Sequence, residues 1–320
     1  MTAPVLYAIG ECMIELRQAG AGTMDYRFGG DTLNAAVYLA RLLDPDVARV
    51  AYVTGLGNDA MSDEMAAAWR AEGIDTAAVL RLPERLPGIY LIETDGTGER
   101  RFHYWRRDAA ARFWMEAPGA AAVLDALATA HAVYLSGISL AILAPAARTR
   151  LVEVLARCRA NGGLVVFDNN YRPRLWEDAA SARAAHAATL RHAGIALLTL
   201  DDEAALHGDA SPDAAIARAR ALGAAEIVVK RGAGSCLVWH DGHTIEVPAV
   251  AVARVVDTTA AGDSFGAAYV AARLAGATPE AAARAGHRLA AAVVQEPGAI
   301  IPRERMPPQD RHSRASGNPC

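Results

Sequence analysis

Cysteine is scarce in this chain. Cys12, Cys158, Cys236 and Cys320 are scattered through 320 residues without a CxxC pair, which argues against a disulfide scaffold or a closed zinc site and fits a reducing cytoplasm. An excess of one charge is also missing. With 32 basic and 36 acidic side chains the net charge is −4, so no global field draws nucleic acid or anionic lipid, and any anion site has to be local. No apolar run approaches the ~20 residues of a membrane helix, and Met1-Thr2-Ala3-Pro4 lacks the basic and apolar regions of a secretion signal. No GxxxxGK[ST] loop is present, which disfavours a Walker-type NTPase. After the first apolar stretch stands Gly10-Glu11-Cys12 rather than the GxGxxG of a dinucleotide dehydrogenase.

What the chain does have is a 52% hydrophobic composition, enough to bury a full core as one large domain, or one domain with a small appendage. Val5 to Gly10 and Val50 to Val53 read as strands, and Cys12 to Leu16 as a half-exposed one. Ala35, Ala36, Leu39, Ala40 and Leu43 recur at helical spacing after Asp31 and Thr32, with Thr32 as the expected cap. A helix is expected from Ser62 to Glu72. Between Gly88 and Arg106, two strand-like runs flank Asp95-Gly96-Thr97-Gly98-Glu99, the pattern of a β-hairpin, which we read as part of a lid. From Ala132 to Leu198 strands and helices alternate, as they do in a largely parallel sheet covered on both faces. Ile227 to Lys230 and Cys236 to Trp239 add two strands around a glycine loop, and Gly262 to Leu274 and Pro279 to Val294 are Ala-rich helices. Residues 307–320 contain little that packs and are expected to be a disordered appendage. His240-Asp241-Gly242-His243 reads as a hairpin turn with flanking histidines, not as a metal site.

The strongest chemical signal is Asp257-Thr258-Thr259-Ala260-Ala261-Gly262-Asp263-Ser264-Phe265, a turn of small residues opening into a helix. Unpaired amides at a helix start, aided by the dipole, favour an anion such as a transferring phosphate. A carboxylate there repels phosphate, so Asp263 makes sense as a general base for an attacking hydroxyl. Taken alone it is equally an ordinary N-capping residue.

This motif resembles the C-terminal signature of the ribokinase-like (PfkB) carbohydrate kinases, and Phe28-Gly29-Gly30-Asp31-Thr32-Leu33-Asn34-Ala35-Ala36 resembles their N-terminal one. The resemblance covers about residues 5–302. It implies a Rossmann-like α/β core, mostly parallel and with helices on both faces, plus a small β-lid built from strands within about 11–30 and 88–106. It also implies ATP and Mg2+ as partners of the reaction, a catalytic Asp263 with Ala260, Ala261 and Gly262 as its anion hole, and sugar contacts from Gly30 and Asn34. Phe102-His103-Tyr104-Trp105-Arg106 and Asp168-Asn169-Asn170-Tyr171-Arg172-Pro173-Arg174-Leu175-Trp176 look like the branch acting on 2-keto-3-deoxygluconate at its 6-hydroxyl. A carboxylate substrate suits Arg106 and Arg172, whose guanidinium groups bind it bidentately, with Tyr90 and Tyr104 adding hydrogen bonds from the lid. On a hairpin such residues are as commonly just solvated or interfacial.

For the nucleotide, Lys230-Arg231-Gly232-Ala233-Gly234-Ser235 resembles the family's ATP loop, pointing to Lys230, Gly232 and Gly234. Asn170 and Thr199 are expected at carboxyl ends of strands, where open α/β sheets bind ligands, and His287 and Gly298 fall where the family closes around adenine. Glu203 is expected near magnesium through water, or else as an acid favoured by a helix N-terminus. The chain departs from the family pattern at Ala260, Leu200 and Ser235, and the alanine matters if its position needs positive φ. The expectation is a cytoplasmic ATP-dependent kinase of a sugar acid, with no nucleic-acid or membrane partner and with copies pairing through the lid. A fructokinase or ribokinase on a neutral sugar, or a non-catalytic sugar-acid-binding module, are the alternatives.

Overall fold

The computed structural model describes residues 4–20, 22–94, 100–208 and 211–308. Apolar strands that alternate with helices bury both faces only in a layered sheet. The chain follows that rule with a nine-stranded sheet ordered β13-β12-β11-β10-β9-β8-β1-β4-β5. Its strands are β1 (Val5–Ile9), β4 (Arg49–Leu56), β5 (Val79–Arg81), β8 (Ala132–Ser136), β9 (Leu164–Asp168), β10 (Ile195–Thr199), β11 (Glu226–Lys230), β12 (Cys236–His240) and β13 (His243–Val247). From β11 to β5 neighbouring strands are parallel, and β12 and β13 close one edge antiparallel. The turn between those two carries Asp241 and Gly242 at φ 48° and 83°, which is the left-handed pair that a tight hairpin needs.

Helices cover both faces. They are α1 (Asp31–Leu42), α2 (Ala60–Ala71), α3 (Ala120–Ala128), α4 (Gly137–Ala141), α5 (Pro145–Ala160), α6 (Ala179–Leu190), α7 (Leu200–His207), α8 (Pro212–Leu222), α9 (Ala261–Leu274) and α10 (Pro279–Val293). Period-2 alternation splits the core. Tyr134, Val166, Leu197 and Val228 face the layer of α1, α2, α9 and α10, whereas Val133, Val165, Ala196 and Ile227 face that of α3, α5, α6 and α8. Every residue of β8 and β11 is buried, as expected of strands packed on both sides.

A separate four-stranded sheet, ordered β3-β2-β6-β7, projects from this body. It contains β2 (Met13–Gly20), β3 (Thr23–Gly29), β6 (Gly88–Thr94) and β7 (Arg100–Trp105). The hairpin expected over Gly88 to Arg106 is thus half of this sheet, and its turn at 95–99 lies outside the described residues. Both faces carry exposed aromatic rings, Tyr26 and Trp105 on one and Phe102 and Tyr104 on the other. Of the tail expected over 307–320, all but residues 307 and 308 lies outside the described residues. No described helix is long and apolar enough to cross a membrane.

Thr32 does not cap α1. Gly30 occupies the cap position without a side-chain bond, and the buried Thr32 hydroxyl pairs instead with Tyr52 at 3.0 Å. The helix starts two residues earlier than a threonine cap requires. Gly30 packs too closely on the preceding chain for anything larger, since a Cβ there would sit 2.1 Å from the Glu11 carbonyl oxygen.

Candidate functional site

The parallel strands end together, and their last residues are polar: Ser136 on β8, Asp168 on β9, Thr199 on β10 and Lys230 on β11. A cavity of about 480 Å³ lies at this carboxyl edge, between the strand ends, the N-termini of α1 and α9, and the small sheet. Its position follows the general rule for open α/β sheets and its size suits a small molecule.

Two helix starts furnish its floor. At α9, Ala260 holds the left-handed conformation, φ 60° and ψ 14°. This turn aims the first-turn amides outward. The helix ladder opens with Ser264 N–H donating to the Ala260 carbonyl at 2.9 Å, and Ala261 N–H donates to Thr258 at 3.2 Å, so the amides of Gly262 and Asp263 precede the ladder as helix-start donors. Asp257 stitches the loop together. Its Oδ1 accepts from Thr259 N–H at 3.0 Å and the Thr259 hydroxyl at 2.6 Å, while its Oδ2 accepts from Gly298 N–H at 3.1 Å. An alanine with positive φ stores roughly 1 kcal/mol of strain. Ala260→Gly is therefore expected to raise the urea-unfolding free energy by about 0.5–1 kcal/mol; a fall would mean that the methyl packs usefully.

At α1, Asn34 Nδ2 donates to Asp263 Oδ2 at 2.8 Å, and Asn34 Oδ1 is buried without a hydrogen-bond partner. That orphan acceptor is the kind of group a ligand hydroxyl satisfies. Burial pushes the Asp263 carboxyl up to about 7; the charges of Asp31 and Asp168 push the same way, against the Asn34 hydrogen bond and Lys230. Lys230 itself donates to Asp168 Oδ2 at 2.8 Å.

The same cavity is lined by Gly30, Tyr90, Tyr104, Asn170, Arg172, Thr199 and the whole run from Thr258 to Asp263. Arg172 reaches Asp202 at 3.2 Å, and the Tyr90 hydroxyl donates to Glu15. Asn170, at φ 20°, donates to Asp31 Oδ2 at 2.6 Å.

The remaining residues singled out in the sequence stand elsewhere. Arg106 is buried against Glu11 and lies 5.9 Å from the Tyr104 ring centroid. Glu203 is buried, its Oε1 accepting from Asn169 Nδ2 at 3.0 Å. Gly232, at φ 59°, and Gly234 occupy the loop between β11 and β12. His287 sits edge-on to Phe265 with its Nε2 3.2 Å from the Val247 carbonyl oxygen, and Gly298 is held by Asp257. Conversely, Asp31, Asp168, Asp201 and Asp202 line the cavity without having been singled out. Asp31 stands inside the glycine signature and Asp168 closes an apolar strand, a placement that could have flagged both.

A family model described as pfkB family carbohydrate kinase matches residues 5–306. The chain is 53% identical over 310 residues to a protein of Dickeya dadantii named 2-dehydro-3-deoxygluconokinase, covering 96% of this chain and all of that one. A PfkB protein from Polaromonas shares 28% identity and superposes with a TM-score of 0.79 over 92% of this chain and 96% of its own. A fructokinase from Xylella fastidiosa with bound ATP shares 25% identity, with a TM-score of 0.75 over 96% of each chain. Two signatures brought to one cavity at the carboxyl edge of the sheet, and a match over nearly the whole length, place this chain in the pfkB family of carbohydrate kinases.

Proposed function

We propose that this sugar kinase transfers the γ-phosphoryl group of ATP to the 6-hydroxyl of 2-keto-3-deoxygluconate, giving the 6-phosphate and ADP. The observation that carries the reading is Asp263, a half-buried carboxyl raised to about 7, at the mouth of α9 in a cavity of sugar size. The relative from Dickeya dadantii, 53% identical, supports the substrate. Asp263 takes the hydroxyl proton as O6 bonds to the γ-phosphorus and the bond to the ADP oxygen breaks. The amides of Gly262 and Asp263, at the helix start that Ala260 and Ala261 build, face the charge that develops there.

Gly30 and the Asn34 acceptor hold sugar hydroxyls, and Tyr90, Tyr104, Arg172 and Arg106 form the acid side. Lys230, Thr199 and Asn170 serve the phosphates, and Gly232, Gly234, His287 and Gly298 the rest of the nucleotide. Among the described residues no group of three or more His, Cys, Asp or Glu side chains is arranged to hold a metal. That fits magnesium carried on the nucleotide's phosphates, whose charge it neutralises when bound. Glu203, buried behind Asn169, acts there only through water. The reading includes one catalytic domain over residues 1–306 with an appended tail, a cytoplasmic location, and pairing of copies through the small sheet.

A coupled ATP-consumption assay on 2-keto-3-deoxygluconate, fructose and ribose tests it. The sugar acid is expected to win, and Arg172→Ala to raise its KM by about 10-fold or more, the worth of one charge-assisted hydrogen bond. A neutral sugar winning, with Arg172→Ala silent, points to a fructokinase or ribokinase. Tight binding of the acid without turnover points to a binding module.

A further inference from the structure

Asp31 has no part in the chemistry above, yet it lines the same cavity as Asp263. As the first residue of α1 it is held by Asn170, just beyond β9, which donates to its Oδ2 at 2.6 Å, while the Ser136 hydroxyl at the end of β8 and the Thr32 N–H of its own helix favour its charged form. It cannot swing out of the site without breaking the bond to Asn170. Asp263 is fixed in turn by Asn34, one turn further along α1. Two helix N-termini therefore hold two half-buried carboxylates against one cavity, where charges act on each other more strongly than in water.

We propose that Asp31 is a positioning residue whose negative charge, held in place by Asn170, makes Asp263 a proton acceptor strong enough for the sugar hydroxyl. The proposal rests on the reading of Asp263 as the general base. Burial is the largest influence raising the Asp263 carboxyl to about 7, and Asp31 is the next. The other charges facing it are Asp168 from β9, which acts in the same direction, and Lys230 from β11, which opposes it but is engaged by Asp168 at 2.8 Å. Tyr38 of α1, held up at about 12 by burial, and Tyr134 of β8, raised by burial and by the nearby aspartates, stay neutral in the working range. The Asp31 carboxyl is itself raised by burial, against the bonds from Ser136, Thr32 and Asn170. The two groups therefore titrate as a pair rather than independently.

Asp31→Asn keeps the shape and an acceptor for Asn170 while removing the charge. In the pH profile of kcat/KM for the sugar acid, the acid limb is expected to move down by about one pH unit or more, and the plateau above neutrality to drop because the base is weaker. A second readout needs no activity. Folded Asp263 binds a proton at pH values where the unfolded chain, with an ordinary value of 3.8, does not, so its contribution to stability is lost as pH rises through about 7. Asp263→Asn removes that loss and is expected to raise the thermal midpoint at about pH 8 relative to about pH 5.5. In the Asp31→Asn background this gain should shrink.

A shrinking gain together with a shifted limb supports the pairing. A full gain in both backgrounds, or an unmoved limb with only KM increased, overturns it, leaving Asp31 as a sugar contact. A shrinking gain in a protein that phosphorylates none of the sugars keeps the electrostatic pair and rejects the kinase reading instead. Asp31→Ser, which keeps a short acceptor at the helix start, serves the same comparison if the asparagine variant folds poorly.

Discussion

Asp263→Asn is expected to retain binding of both substrates and to lose about 10²- to 10⁴-fold in kcat, the usual share of a general base. The substitution keeps size and an acceptor for Asn34 Nδ2, which now bonds Asp263 Oδ2 at 2.8 Å, so the pocket's shape survives while proton uptake does not. Wild-type kcat/KM should fall about tenfold per pH unit below the carboxyl's value of about 7, because the protonated acid cannot accept the hydroxyl proton. The variant should lack that acid limb. Initial rates across pH, alongside equilibrium binding of the sugar acid, check both statements. Turnover close to wild type would remove Asp263 from the mechanism, and loss of binding in step with turnover would make it a pocket residue.

The helix that carries Asp263 was legible because its signal is local. A run of small residues before an apolar helix announces a tight turn and an open helix mouth wherever it occurs, and the alternation from Ala132 to Leu198 announces a parallel sheet in the same way. Asn170 and Thr199 could be placed at strand ends from that alternation and Lys230 from its glycine loop, and all three line the cavity. What sequence could not show was partnership across distance. Asn34 meets Asp263 over 229 positions and Asp31 meets Asn170 over 139, contacts that only the packing of α1 against the sheet creates. Nor does sequence reveal whether a charged side chain faces the cavity or a neighbour. Arg106 and Glu203 carry chemistry suited to a ligand, and burial pairs the first with Glu11 and the second with Asn169. The Ala260 departure carried a condition, positive φ, and the structure supplies it at 60°.

Arg106→Ala is expected to be the most destabilising substitution proposed here. Glu11 follows β1, Arg106 follows β7, and Gly88 at the start of β6 packs on both, since a Cβ there would lie 2.7 Å from Glu11 Oε1 and 3.2 Å from Arg106 Cβ. The pair thus ties together the crossings between body and small sheet. The Glu11 side chain is 0% exposed and that of Arg106 9%. Burial raises the Glu11 carboxyl even with the guanidinium beside it, and Glu11 Oε1 and Arg106 Nε find no hydrogen-bond partner. Removing one member leaves a charge without compensation, at a cost of about 3–5 kcal/mol, whereas replacing both with apolar residues is often neutral. Urea unfolding of Arg106→Ala, Glu11→Leu and the double variant Glu11→Leu with Arg106→Met should show two large losses and a recovery. The double variant then isolates function from stability. If Arg106 also reads the substrate carboxylate, the recovered protein keeps a raised KM for the sugar acid, and Glu11→Gln, which frees the guanidinium, lowers it. A normal KM in the stable double variant would confine Arg106 to holding the small sheet in place and leave carboxylate recognition to Arg172 and the tyrosines.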